Sequence, residues 1–220
     1  QGGAAGSTNT ASLVFGGQSP TTGATETWNG TNWTEVNDLN TARYTLGGAG
    51  TNTSALAFGG TDGTVRAFTE SFNGTNWTEV NDLNQQRRQL AGCGASNTSA
   101  LAFGGRNAPP DQQAVTESWN GSNWTELNDL NTARNYLGGL GSVTAALAFG
   151  GSPSGTGATE QWNGTSWSEK ADLNTSRYLL AGSSTSSTEG LAFGGNSPPI
   201  TAATEEWAST AYATKTVTTD

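Results

Sequence analysis

Ser54-Ala55-Leu56-Ala57-Phe58 alternates small and large apolar side chains with period two. Leu56 and Phe58 fall on one side of a strand, and Ala55 and Ala57 on the other. Gly59-Gly60 ends the run by allowing backbone angles that other residues resist. The same phrase returns as Ser99 to Phe103 and Ala145 to Phe149. Phe-Gly-Gly begins at Phe15, Phe58, Phe103, Phe149 and Phe193, with spacings of 43, 45, 46 and 44 residues. A fixed period of this length marks a repeat architecture. One unit cannot bury its own apolar face, so neighbouring units must stack.

Each unit reads as four strands. The first is glycine-rich, as in Leu46-Gly47-Gly48-Ala49-Gly50, which suits strands crowded about an axis. The second is the Leu/Ala/Phe strand. The third carries Thr25-Glu26-Thr27-Trp28 and the fourth Trp33-Thr34-Glu35-Val36. Asn29-Gly30-Thr31-Asn32 joins them as a hairpin turn. Trp28 and Trp33 should then meet across the hairpin, as should Phe72/Trp77, Trp119/Trp124, Trp162/Trp167 and, in weaker form, Trp207/Tyr212. No stretch has a helical period. The predicted fold is all-β: a five-bladed β-propeller of four-stranded antiparallel blades, forming one domain over residues 1–220. The blades fall at about 1–38, 39–82, 83–129, 130–172 and 173–220.

The glycine doublet Gly59-Gly60, the aromatic Phe72, Trp77 shortly after it, and Arg87 before the next unit resemble the kelch repeat, including the type in the galactose oxidase central domain. The resemblance covers essentially the whole chain. It implies a propeller but no particular activity, because kelch propellers serve many roles. Asn-Gly stands here where kelch repeats have Asp-Pro. The fifth unit departs most: Trp207 to Tyr212 lacks the Asn-Gly turn, and no Asp-Leu-Asn or Arg follows. Blade one has its own first strand, since Gly3 to Phe15 aligns with Leu46 to Phe58. Closure is therefore expected by face-to-face packing of blade five on blade one. Lys215 to Asp220 should complete the last strand.

Composition narrows the function. Only 33% of residues are hydrophobic and 12% charged, but eight Trp supply large buried area and argue against disorder. A formal net charge of -9 repels a phosphate backbone, so no nucleic-acid partner is expected. No apolar run approaches a membrane span, and no membrane insertion is expected. The chain opens with Gln1, which suggests processing or a place in a larger polypeptide or assembly. Histidine is absent, removing the commonest metal ligand and general base. Cys93 is the single cysteine. It replaces Ala49 of the inner strand and should be buried rather than nucleophilic.

Two residue sets recur in register. Glu26, Glu70, Glu117, Glu160 and Glu205 each stand two before an aromatic, and Arg43, Arg87, Arg134 and Arg177 precede the next blade. A group duplicated in every blade is a folding element, so each Glu should be largely buried against an Arg from a blade connection. Asp38-Leu39-Asn40 and its copies at Asp82, Asp129 and Asp172 alternate oxygen ligands, but lack the glycine and distal Glu of a calcium loop. They are expected to be turns. The Asn-x-Ser/Thr triplets, such as Asn29-Gly30-Thr31, are likewise read as hairpins. No metal, cofactor or catalytic residue is predicted.

The loops after Gly-Gly vary while the scaffold repeats: 18–25, 61–69, 106–116, 152–159 and 196–204. They should share one face with the blade connections. Binding usually resides in such loops. The candidates are Asp62, Arg66 and Phe68 in the second, and Arg106, Asp111, Gln112 and Gln113 in the third, which Pro109-Pro110 stiffens. The expected function is a non-enzymatic interaction or structural module engaging a protein or glycan surface, placed on a virus particle (tail fibre or decoration) or outside a cell. A carbohydrate-binding propeller is the alternative. A kelch-type copper oxidase is disfavoured, because no His is present and Cys93 stands alone.

Overall fold

The computed structural model describes residues 2–108, 111–152, 155–197, 200–209 and 216–217. It contains five sheets of four antiparallel strands, each in sequential order, and no helix among the described residues. The sheets are arranged as a β-propeller. Blade one is β1 (Gly3–Thr8), β2 (Ala11–Gly17), β3 (Thr22–Trp28) and β4 (Trp33–Val36). Blade two is β5 (Gly47–Thr51), β6 (Ser54–Phe58), β7 (Thr69–Phe72) and β8 (Trp77–Val80). Blade three is β9 (Ala91–Ser96), β10 (Ser99–Phe103), β11 (Thr116–Trp119) and β12 (Trp124–Glu126). Blade four is β13 (Gly138–Ser142), β14 (Ala145–Phe149), β15 (Thr159–Trp162) and β16 (Trp167–Lys170). Blade five is β17 (Ala181–Ser183), β18 (Glu189–Phe193), β19 (Thr204–Ala208) and β20 (Thr216–Val217).

The alternation in Ser54–Phe58 buries both faces rather than one. Ala55, Leu56, Ala57 and Phe58 are all inaccessible to solvent. A blade in mid-array has a neighbour on each side, so small and large residues are needed on opposite faces to interdigitate. The inner strands need glycine for a related reason. A Cβ on Gly48 would lie 2.4 Å from the Ala4 carbonyl oxygen of the preceding blade.

The hairpins form as the sequence indicates. Asn29 Oδ1 accepts hydrogen bonds from the Thr31 and Asn32 amides at 2.9 Å, and Asn73, Asn120 and Asn163 repeat the turn. The flanking aromatics meet across it at 4.9–5.5 Å between ring centroids. Tyr212, and with it the Trp207/Tyr212 pair, lies outside the described residues. Of the tail, Thr216 and Val217 pair with Glu205 and Thr204.

Successive blades are joined by one repeated junction. Phe15 of blade one packs on Trp77 of blade two at 5.0 Å, Phe58 on Trp124 at 5.1 Å, and Phe103 on Trp167 at 5.0 Å. Each of these Trp indoles also donates to a buried hydroxyl of the preceding blade: Trp77 to Thr25, Trp124 to Thr69 and Trp167 to Thr116, at 3.0–3.1 Å. Large apolar area and a satisfied indole N–H are thus supplied together.

The expected packing of blade five on blade one does not form among the described residues. Trp33 is 46% exposed, whereas Trp77, Trp124 and Trp167 are at most 6% exposed. Phe193 is 40% exposed, and a Cβ on Gly194 would meet nothing within 4 Å. Face-to-face closure requires complementary connections as well as strands, and blade five brings no Asp-Leu-Asn or Arg to blade one.

Candidate functional site

The carboxylate–guanidinium sets are built from the blade connections. Asp38, Asp82 and Asp129 accept the amide hydrogens of Thr25, Thr69 and Thr116 in their own blades at 3.1–3.2 Å. Leu39, Leu83 and Leu130 are buried one residue on. The following Asn reaches the next blade: the amides of Asn40, Asn84, Asn131 and Asn174 donate to Glu70, Glu117, Glu160 and Glu205 at 2.7–2.8 Å. The Asp-Leu-Asn phrase is therefore a latch between blades.

The arginines complete it. Arg43, Arg87, Arg134 and Arg177 are fully buried and pair with Glu70, Glu117, Glu160 and Glu205. Arg134 and Glu160 form a hydrogen-bonded pair at 2.9 Å. Arg87 with Glu117 at 3.0 Å, and Arg177 with Glu205 at 2.9 Å, are in charge contact without hydrogen-bond alignment. The remaining donors go to carbonyls, such as Arg87 to Val115 at 3.1 Å and Arg177 to Ala203 at 2.7 Å. Only a guanidinium offers enough fixed donors for a carboxylate and several carbonyls at once. Burial pulls the Arg87 guanidinium down to about 10, against the opposing pull of Glu117, and it also lowers Arg134. The expected buried Glu–Arg contact thus forms at four positions and fails at Glu26, which is exposed and makes no ion pair among the described residues.

Cys93 is buried, and desolvation pushes its thiol up to about 12. At neutral pH it is protonated and unreactive.

The loop-bearing face has more individual character. Connections and post-Gly-Gly loops do share it: Tyr44 bridges Thr61, Arg88 bridges Arg106, Asn135 bridges Ser152 and Tyr178 bridges Asn196. In blade one the loop expected over 18–25 is shorter, because β3 already starts at Thr22 and Gly17 pairs with it. In the second loop the sequence candidates satisfy one another. Arg66 grips Asp62 through Nε and Nη2 at 2.9–3.1 Å, and its guanidinium carbon lies 5.1 Å from the Phe68 ring centroid. That pairing holds the Asp62 carboxyl below its ordinary range. In the third loop Arg106 bridges Gln112, and the Gln113 amide donates to Gly105 at 2.7 Å. Asp111 is exposed, and Pro109-Pro110 lies outside the described residues. No hydrogen bond or ion pair joins the second-loop group to the third among the described residues.

Sequence reasoning missed the residues beside the axis. Thr45, Gln89, Tyr136 and Leu179 occupy one repeat position with φ of 53–59°. Their backbones form a chain from blade to blade: the Gln89 amide donates to Thr45, Tyr136 to Gln89 and Leu179 to Tyr136, at 2.8–2.9 Å. Left-handed geometry disfavours β-branched and bulky side chains, and here it is sustained by these bonds. Around this chain Gln89 donates to the Tyr136 hydroxyl at 2.6 Å, Asn135 donates to Gln89 at 2.6 Å, and the rings of Tyr136 and Tyr178 are 6.2 Å apart.

Next to it Arg88 and Arg106 exchange both backbone hydrogen bonds, at 2.9 and 3.0 Å. Standing directly opposite, their side chains leave the same face of the bridge. Each Nε is buried without a hydrogen-bond partner, and neither guanidinium has an ion pair among the described residues. The available signal was register: Arg88 aligns with Tyr44, Asn135 and Tyr178, a position whose side chain changes in nearly every blade.

No protein-family model matches the chain, and no curated protein matches it in sequence. The class defined by fold and geometry is that of a five-bladed β-propeller with a variable, loop-bearing face.

Proposed function

We propose that the chain is a non-enzymatic recognition module, a kelch-type propeller carried on a virus particle or cell surface, which binds an acidic protein or glycan through its loop-bearing face. The observation that carries this reading is the Arg88–Arg106 pair. Two arginines stand opposite one another on one bridge, each with a buried Nε lacking a hydrogen-bond partner and neither in an ion pair among the described residues, which leaves donors for an anion. The repeated carboxylates, by contrast, sit in four equivalent latches. Acid–base catalysis needs groups whose environments push their pKa values apart.

A carbohydrate ligand is the second reading. It is favoured by the Tyr136 ring, which lies 6.2 Å from Tyr178 and carries the Gln89 amide on its hydroxyl, since sugars are gripped by aromatic faces with polar groups at their edges. A glycan array probed with the full chain separates the readings, with heparin fragments and sialylated and neutral oligosaccharides as probes. Binding confined to acidic probes, and lost in Arg88→Ala or Arg106→Ala, supports the first. Binding to neutral sugars that survives both changes but is lost in Tyr136→Ala supports the second. Binding that survives all three changes places the site elsewhere.

A further inference from the structure

The outward face of blade one repeats the aromatic and the carboxylate of a surface that is covered in blades two, three and four, with Ser12 and Val14 where those blades carry a pair of alanines. Trp33 takes the place of Trp77, which packs on the preceding blade's Phe15 and donates to its Thr25. Glu26 takes the place of Glu70, which receives Arg43 and the Asn40 amide from the preceding connection. On blade one both groups are in solvent. We infer that this face is a docking surface for one further blade of the same repeat, whose connection delivers an Asn and an Arg to Glu26.

Charge decides among the possible occupants. Blade five of this chain, in the same molecule or in a second copy, offers the aromatic half of the junction through Phe193 and Thr204. Its strands carry no arginine after Arg177, its lysine, Lys215, lies outside the described residues, and Arg43, Arg87, Arg134 and Arg177 are already committed to buried carboxylates. Arg66 is held by Asp62. Covering Glu26 with blade five would therefore bury the carboxylate without the guanidinium and the Asn amide that meet it at the internal junctions, and burying an under-satisfied charge is unfavourable. A blade ending in Asp-Leu-Asn-x-x-Arg supplies the apolar contact and the counter-charge together, as at the junctions between blades one and two, two and three, and three and four. In the strand register Gly3 faces Phe15 as Gly47 faces Phe58, so Gln1 corresponds to Thr45 and the Arg43 position falls two residues before Gln1.

That alignment gives the test. A copy of residues 46–88 joined directly before Gln1 places Arg87 of the copy in the Arg43 position relative to blade one. Hydrogen exchange over residues 25–36 is compared in the 220-residue chain and the extended chain. The extension should slow exchange there by about tenfold, and Arg87→Ala in the copy should abolish most of that gain. An extension built from residues 90–135 repeats the experiment should the first fail to fold. Unchanged exchange in a folded extended chain overturns the inference, as does protection that survives Arg87→Ala in the copy. Two measurements on the 220-residue chain also bear on it. If Phe193→Arg speeds exchange over 25–36 at unchanged monomer mass, blade five already covers the face. If the chain sediments as a dimer that Trp33→Arg dissociates, a second copy covers it. Either outcome overturns the inference.

Discussion

Glu70 and Glu26 occupy the same repeat position, on the same strand, two residues before an aromatic. Glu70 is buried against Arg43; Glu26 is in solvent. Trp77 and Trp33 differ in the same way. The intra-blade hairpin is equally formed in both blades, with the rings at 4.9 Å for Phe72/Trp77 and 5.5 Å for Trp28/Trp33. The blade therefore assembles locally, while the burial of its outer residues comes from the neighbour. In quasi-one-dimensional arrays stability is divided in this way between units and junctions.

Substitution at the aromatic position separates the two environments most strongly. Trp124→Ala should cost about 4 kcal/mol in urea unfolding, through lost area and an orphaned Thr69 hydroxyl. Trp33→Ala should cost less than about 1 kcal/mol, as exposed substitutions do. Equal losses would mean that the hairpin, not the junction, gives the aromatic its energy. The carboxylates should follow with a smaller effect. Glu117→Ala leaves Arg87 buried without its partner and should cost about 3 kcal/mol. Glu26→Ala should stay within about 0.5 kcal/mol.

A glycine pair isolates the steric part. Gly59 and Gly194 both have φ of 65°, so alanine carries a left-handed penalty of about 1–2 kcal/mol at each. At Gly59 the new Cβ also lies 2.5 Å from the Arg87 carbonyl oxygen across the junction, whereas at Gly194 it meets nothing. Gly59→Ala should therefore be the more destabilising by about 2 kcal/mol. The difference in melting temperature between the two variants measures it. A difference near zero would show that the connection simply moves aside.

Much of this was legible in the sequence because it is local and repeated. The strand period of Ser54–Phe58, the Asn-Gly hairpins and the Glu/Arg registers each fix a short-range choice, and four or five copies in phase remove ambiguity. The burial of Ala55 and Ala57 alongside Leu56 and Phe58 was not legible, because periodicity within a strand cannot count the neighbours on its two sides. The separation of blades one and five was hidden for the same reason. Self-similarity shows that units stack, but the angle between them, which decides whether a given number closes, is set by packing at each junction. The Arg88–Arg106 pair was missed because its members lie in different segments, a connection and a loop, brought together by a bridge outside the regular strands. Arg106 was singled out from its loop, while Arg88 was hidden beside the repeated Arg87.

The smallest effect comes from a pair that resembles the latches in chemistry but not in setting. Asp62 and Arg66 meet at 2.9 Å with side chains 23% and 35% exposed, on a loop rather than between blades. Solvent screens such pairs, so Asp62→Asn should lower stability at pH 7 by less than about 1 kcal/mol. The arginine nevertheless holds the folded-state carboxyl below its ordinary value of 3.8. A depressed carboxylate contributes stability that is fully present above the unfolded value and is lost as pH falls through the folded one. The gap between the parent chain and Asp62→Asn should thus be constant from neutral pH down to about the unfolded carboxyl value, and close only under more acid conditions. Unfolding curves of the two chains across that range provide the check. A neutral-pH loss as large as that of Glu117→Ala would show that ion pairing alone, wherever it sits, sets the energies here. The junction would then lose its claim to be special.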